Sequence, residues 1–228
     1  MKIIEKKDEY FAKIIHDLKT PANAQARALE SLLETCSKKI NQEEKDLIEL
    51  TLNSCNYMQN LIEVFCSVYK LNYEKIELNY EKFDIIKLIN DTIKELRVLL
   101  KYHELNLAIK SSHKAIIVNA DKLQIKRVIE NILSNEIEHA FKNSIIEIEL
   151  IKNKSSFIFH AKNKSKYIEP KALKEIFEKF KTNYTSTNRI ASGLGLYLSK
   201  EIIKAHFGKM IAKSYSNDTN IFGFSIPI

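Results

Sequence analysis

A histidine followed directly by an acid, with a hydroxyl one helical turn on and a proline behind it, is where this chain best suits covalent chemistry: His16-Asp17-Leu18-Lys19-Thr20-Pro21. Imidazole is a nucleophile in its neutral form, and a neighbouring carboxylate can orient the ring and take its proton as an electrophile arrives. Phosphoryl transfer onto His16, with Asp17 as acid/base partner, is the chemistry this pair suits. Thr20 is placed to hold a water for the reverse step, hydrolysis of a partner's phosphoryl group. A lone histidine on a solvated helix ordinarily does none of this, so the reading depends on the rest of the chain.

Two helical patterns must position these residues. Over residues 3–36, Phe11, Ile15, Leu18, Ala22, Leu29, Leu32 and Cys36 recur at three- and four-residue steps, the pattern of an amphipathic helix. On it, His16 lies roughly 130° from the centre of the apolar stripe, and Thr20 shares its meridian. Pro21 has no N–H and crowds the carbonyl of Asp17, so a bend is expected just past the histidine. After the polar turn Ser37-Lys38-Lys39-Ile40-Asn41-Gln42, a second pattern covers residues 43–73, where Leu52, Cys55, Met58, Ile62, Cys66 and Tyr69 share a stripe. Two single-striped helices cannot close a core alone. Pairing with a second copy into a four-helix bundle solves that problem and predicts a homodimer.

The second half alternates helix and strand. Ile85, Leu88, Ile89, Ile93, Leu96 and Leu100 mark one helix, and Asp121 with Gln124 is a capping-box start for another, expected to reach about Lys142. Leu105, Leu107 and Ile109, then Ile146, Ile148 and Leu150, then Phe157, Phe159 and Ala161 alternate at period two, with Asn153-Lys154-Ser155 as the last hairpin turn. Pro170 opens a short helix containing Ile176-Phe177-Glu178-Lys179-Phe180. Residues 193–207 read as a helix, and 209–215 and 220–226 as closing strands. The expected fold is α+β: an N-terminal αα-hairpin over residues 1–76 forming a dimeric four-helix bundle, then a two-layer α/β sandwich over residues 77–228.

Three segments of this half carry chemistry. Asn131 and Asn135 stand one turn apart, off the apolar face of Ile125, Ile129, Ile132 and Leu133. Paired amide oxygens at that spacing can hold a magnesium ion that also binds phosphates. The polar stretch 181–192 runs into Gly193-Leu194-Gly195-Leu196 at a helix start, with two of the protein's four glycines. Side-chain-free residues there let backbone N–H groups approach phosphate at the positive end of the helix. Arg189 is placed to clamp a γ-phosphate.

Composition narrows the classes. With 228 residues, 45% apolar and 29% charged, the chain can bury a core and is not disordered. The net charge is +7, yet 36 Lys and Arg are interleaved with 29 acids without a dense basic run, which argues against a nucleic-acid partner. No apolar run approaches the ~20 residues of a membrane span, and no signal peptide opens the chain. The three cysteines show no CxxC spacing, so neither a disulfide framework nor a zinc site is indicated. A cytoplasmic protein is expected.

In order, His-Asp-x-x-Thr-Pro, Asn-x-x-x-Asn, Ile-Phe-Glu-x-Phe and Gly-Leu-Gly-Leu resemble the core of two-component sensor histidine kinases over nearly the whole chain: a HisKA-type dimerisation hairpin, then a GHKL-type ATP-binding domain. The resemblance implies an ATP-dependent protein histidine kinase, with ATP and Mg²⁺ as cofactors and a response regulator receiver domain as partner. It makes His16 the phosphoacceptor, Asp17 its acid/base partner and Thr20 the residue that positions water. It implies a nucleotide-binding set of Asn131, Asn135, His139, Asn163, Arg189, Ser192, Gly193, Leu194, Gly195 and Leu196, with Asn135 the magnesium ligand. Phe177 and Phe180 match the box that anchors the family's lid. Fifteen residues precede His16, so the chain is expected either to stand alone or to be the core of a longer sensor.

Departures cluster in the nucleotide pocket. The family's first glycine box, where an aspartate meets the adenine amine, reads Asn163-Lys164-Ser165-Lys166-Tyr167 here, with Tyr167 in place of a glycine. Glu138 stands where a phosphate-facing cation is usual, Glu136 replaces a small residue and Ala191 a glycine; Lys142 is the candidate to compensate for Glu138. These departures keep an alternative standing: an ATP-independent histidine phosphotransferase or pseudokinase scaffold that docks response regulators through its hairpin.

Overall fold

The computed structural model describes residues 2–36, 40–73, 77–179 and 194–228, in two compact units, Met1–Glu74 and Lys75–Ile228. The boundary expected after residue 76 and the turn residues Ser37, Lys38 and Lys39 lie outside the described residues, as do the side chains of Phe11 and Tyr69.

The first unit is two long helices, α1 (Lys2–Cys36) and α2 (Gln42–Tyr73). α2 opens on a reciprocal cap: the Glu44 N–H donates to Asn41 Oδ1 at 2.9 Å, and the Asn41 N–H to Glu44 Oε2 at 2.8 Å. α1 runs through Pro21, whose missing N–H leaves the Asp17 carbonyl without its helical donor. Among the described residues Ala22, Ala26 and Cys55 are buried in the hairpin, where Gln59 Nε2 donates to Ala22 O at 3.3 Å and Asn23 Oδ1 at 3.0 Å. Leu18 and Leu32, expected on a buried stripe, are 51% and 44% exposed, and Leu47, Leu50, Met58 and Phe65 also lie open. Each helix has one neighbour for an apolar arc wider than one neighbour covers. None of the three cysteines forms a disulfide.

The second unit runs β1 (Glu81–Asp84), α3 (Ile85–Glu95), α4 (Arg97–Tyr102), β2 (Asn106–Ser111), β3 (Ile117–Ala120), α5 (Lys122–His139), β4 (Ile145–Lys152), β5 (Ser156–Lys164), α6 (Pro170–Glu175), α7 (Gly195–Ala205), β6 (Lys209–Tyr215) and β7 (Thr219–Pro227). Five strands form one sheet in the order β2-β4-β5-β7-β6, parallel only between β2 and β4. β1 and β3 form a separate antiparallel pair, which the sequence pattern did not reveal because each strand has only four residues. Alternate residues of the central strands, among them Ile146, Ile148, Phe157, Phe159 and Phe224, are fully buried, as are Ile125, Val128, Ile129, Ile132, Leu133 and Ile137 of α5. Each such side chain contributes about 1.5–3 kcal/mol of burial. This helix-on-sheet core is the two-layer sandwich expected of an α+β chain.

Three element ends differ from expectation. The helix expected over residues 85–100 breaks at Leu96, which leaves helical geometry (φ −84°, ψ 1°) between α3 and α4. α5 ends at His139, where Ala140 turns extended, so Lys142 is off the helix; its Nζ pairs with Glu104 Oε1 at 3.2 Å. α6 stops at Glu175, ahead of Ile176 and Phe177.

His206 ties α7 to α5. Its Nδ1–H donates to Ile202 O and its Nε2 accepts the Asp121 N–H, both at 2.9 Å, which fixes a neutral tautomer. Burial pushes its pKa below the ordinary 6.5. Asp121 in turn caps α5 by accepting the Gln124 N–H at 3.0 Å.

Candidate functional site

The phosphoacceptor candidate stands clear of protein. On α1, His16 and Asp17 side chains are 79% and 63% exposed, with His16 Nδ1 3.4 Å from Asp17 Oδ1. When Nδ1 carries the proton and faces the carboxylate, Nε2 presents its lone pair outward to an electrophile. Thr20 Oγ1 donates to His16 O at 2.8 Å, one turn back along α1. That bond occupies the hydroxyl proton and leaves the oxygen's lone pairs to accept from a water. Thr20 thus has the geometry to orient a water by accepting its hydrogen.

In the second unit, Asn131 and Asn135 differ in what they do. Asn131 Nδ2 donates to Ser199 Oγ at 3.0 Å, and Ser199 Oγ donates to Gly195 O at 3.1 Å, so Asn131 stitches α5 to the first turn of α7. Gly195 is glycine for a reason of space: a Cβ there would lie 2.5 Å from Asn131 Oδ1. Asn135 is half-buried, and its side chain makes no hydrogen bond among the described residues, so its amide oxygen is the one left for a hard cation. His139 and Glu138 lie exposed at the end of the same helix.

α7 supplies an anion-favouring end. Its N-cap is Leu194, whose apolar side chain offers no oxygen to the N–H groups of the first turn, at the positive end of the helix. Leu194 is buried and Leu196 half-buried. Lys200 Nζ meets Glu178 Oε1 at 2.8 Å, and Lys179 lies 4.9 Å over the Tyr197 ring, so Glu178 and Lys179 are held against α7. The Asn135 amide oxygen and the positive end of a helix that opens on glycine are chemistry that fits a magnesium-bound polyphosphate. Arg189, Ser192, Gly193, Phe180 and Ala191 lie outside the described residues.

The segment Asn163–Ile168 is anchored by hydrogen bonds to α5, β6 and β7 and the turn before β7. Asn163 is buried; its Nδ2 donates to Glu136 O at 3.1 Å, and its Oδ1 accepts from Ser165 Oγ at 2.8 Å. Ser165 Oγ accepts from Asn220 Nδ2 at 2.6 Å. Tyr167 is accommodated half-buried, in a loop held by its N–H to Asp218 Oδ1 at 3.1 Å and the Ile168 N–H to Ser214 Oγ at 2.9 Å. Glu136 is 2% exposed, and burial without a charged partner raises its pKa well above the ordinary 4.5. Ser165, Asp218 and Asn220 escaped the sequence reading, because their roles arise from partners on other strands. Lys142, bound to Glu104 beyond the end of α5, is not placed to compensate for Glu138.

Residues 120–228 match the family model described as histidine kinase-, DNA gyrase B-, and HSP90-like ATPase. Over nearly its whole length the chain is similar to sensor proteins and histidine kinases, consistent with a two-component histidine kinase core. The chain is 29% identical over 225 residues to the sensor protein VanS of Enterococcus faecium, covering 98% of this chain and 58% of that protein. It is 27% identical over 216 residues to the sensor protein KdpD of Clostridium acetobutylicum, covering 94% of this chain and 24% of that one. The chain therefore spans about a quarter to three-fifths of these relatives' lengths. Its fold is that of full-length ShkA in complex with AMPPNP, at TM-score 0.78 and 19% identity over 96% of this chain and 45% of that chain. The histidine kinase ThkA in complex with the response regulator TrrA is also similar, at TM-score 0.64 and 18% identity over 98% of this chain and 63% of that chain. No described helix is long and apolar enough to cross a membrane.

Proposed function

We propose that this chain is an ATP-dependent protein histidine kinase that phosphorylates itself on His16 and passes the phosphoryl group to an aspartate of a response regulator receiver domain. The observation that carries it is the outward-facing His16–Asp17 pair, joined in one chain to a unit that matches an ATPase family model and in which Asn131 packs against the start of α7. Nε2 of His16 attacks the γ-phosphorus of ATP, ADP leaves, and Asp17 takes the Nδ1 proton as the ring gains charge. Asn135 is the residue that would hold Mg²⁺, which when bound neutralises developing phosphate charge. Asn131 positions, through Ser199 and Gly195, the α7 end that receives the phosphates. Thr20 orients water for the reverse hydrolysis of the regulator's acyl phosphate. The open Leu18, Leu32, Leu47, Leu50, Met58 and Phe65 support a homodimer closing a four-helix bundle.

Incubation with γ-labelled ATP and magnesium tests this. Acid-labile, alkali-stable label on the wild type and none on His16→Gln is the expected result. No label, with no nucleotide binding by titration, would refute the autokinase. Label acquired instead from a phosphorylated regulator would then identify an ATP-independent phosphotransferase.

A further inference from the structure

Glu138 sets a carboxylate where a polyphosphate is expected, and nothing on its own helix offsets the charge. α5 ends at His139, so Lys142 lies off the helix, with its Nζ on Glu104 Oε1 at 3.2 Å. Ser134 and Asn135, the residues one turn before Glu138, are neutral, and α5 carries no lysine or arginine within a turn of it. Glu138 is exposed, and its carboxylate enters no hydrogen bond or ion pair among the described residues.

Asn135 is equally unengaged, so two acceptor groups stand free one turn apart. Residues three apart on a helix are surface neighbours, with Cβ atoms about 5–6 Å from each other, a separation that one ion can bridge. Asn131, a turn before Asn135, abuts Gly195, so this face of α5 runs alongside the first turn of α7. A lone neutral amide is a weak partner for a hard divalent cation, which ordinarily takes one or two carboxylates together with phosphate oxygens and water. Glu136 does not supply that carboxylate, being 2% exposed within the core, whereas Glu138 is open to solvent. Resting on the nucleotide-binding reading above, we propose that Glu138 is a second protein ligand, beside Asn135, for the divalent cation of the bound nucleotide. The cation turns a repulsion into a bridge. Without it the carboxylate opposes phosphate charge; with it both are ligands of one ion. This chain therefore captures nucleotide only together with metal.

Titration calorimetry of the full chain with MgATP, and with ATP in EDTA, tests this. Glu138→Gln is expected to weaken MgATP at least about tenfold, the low end for loss of even an outer-shell partner of a bound metal. The same variant is expected to tighten metal-free ATP about fivefold, the relief of about 1 kcal/mol of repulsion between charges about 4 Å apart in water. Wild type is accordingly expected to prefer MgATP over metal-free ATP by about fiftyfold or more. Asn135→Ala is expected to weaken MgATP without tightening metal-free ATP, because it removes a ligand and no charge. Unchanged MgATP affinity in Glu138→Gln would overturn this inference alone. So would tighter MgATP binding, which would make the carboxylate an obstruction, or equal wild-type affinity for the two forms of ATP. Wild type binding ATP in neither form would overturn the nucleotide reading with it. Glu138 lies outside the core, so thermal melting is expected to show the variant folded, and the wild-type comparison needs no variant.

Discussion

Replacing Gly195 by alanine sets two effects of similar size against each other. The residue opens α7 without a positive φ, so alanine removes excess backbone freedom and gains up to about 1 kcal/mol of helix propensity. The new methyl carbon would lie 2.5 Å from Asn131 Oδ1 and 2.8 Å from Nδ2, so Asn131 must swing away and give up its 3.0 Å bond to Ser199. A neutral hydrogen bond of that kind contributes about 0.5–1.5 kcal/mol. The two nearly cancel, and the unit's Tm should move by no more than about 4 °C. The nucleotide site should not be spared, since Asn131 is displaced and a methyl stands at the first turn of α7. MgATP affinity should fall at least about tenfold, or ~1.4 kcal/mol. Thermal unfolding by circular dichroism, with calorimetric titration of MgATP, reads both quantities on the full chain. Unchanged affinity would refute the claim that Gly195 and Asn131 shape the phosphate-binding end. A fall in Tm beyond about 10 °C would refute the energy balance.

Thr20→Ala should leave label on His16 intact while slowing loss of phosphate from a phosphorylated regulator; unchanged dephosphorylation would remove the water-orienting role. Lys142→Ala should leave MgATP affinity unchanged, because its ammonium pairs with Glu104 off the end of α5; a loss beyond about threefold in titration would contradict this. His206 is held neutral with a lowered pKa, so its contribution is present above 6.5 and is lost as pH falls through the folded value. Denaturant unfolding between about pH 7.5 and 5 should therefore show stability declining toward acid, with a shallower slope in His206→Gln; identical slopes would exclude His206 as a source.

The one-turn spacing of His16 and Thr20, the apolar face of α5 and the alternation in β4, β5 and β7 were legible in the sequence. Periodicity is a local property: it reports which residues share a face of their own element. Asn131 and Asn135 were legible as a pair for the same reason. That Asn131 is bound to Ser199, 68 residues away, while Asn135 is unengaged, depended on α7 docking beside α5. The packing of Asn131 against Gly195, the burial of Glu136, and the network joining Asn163, Ser165 and Asn220 likewise needed the tertiary arrangement. Leu18 and Leu32 show the converse, since a stripe read from sequence does not say how many neighbours will cover it. The sequence by itself determined the longer elements and the chemistry each could bear, but not the four-residue β1 and β3 or the break at Leu96. Tertiary structure alone decided which polar groups are satisfied and which remain open, because hydrogen bonds and burial join residues that no local pattern connects.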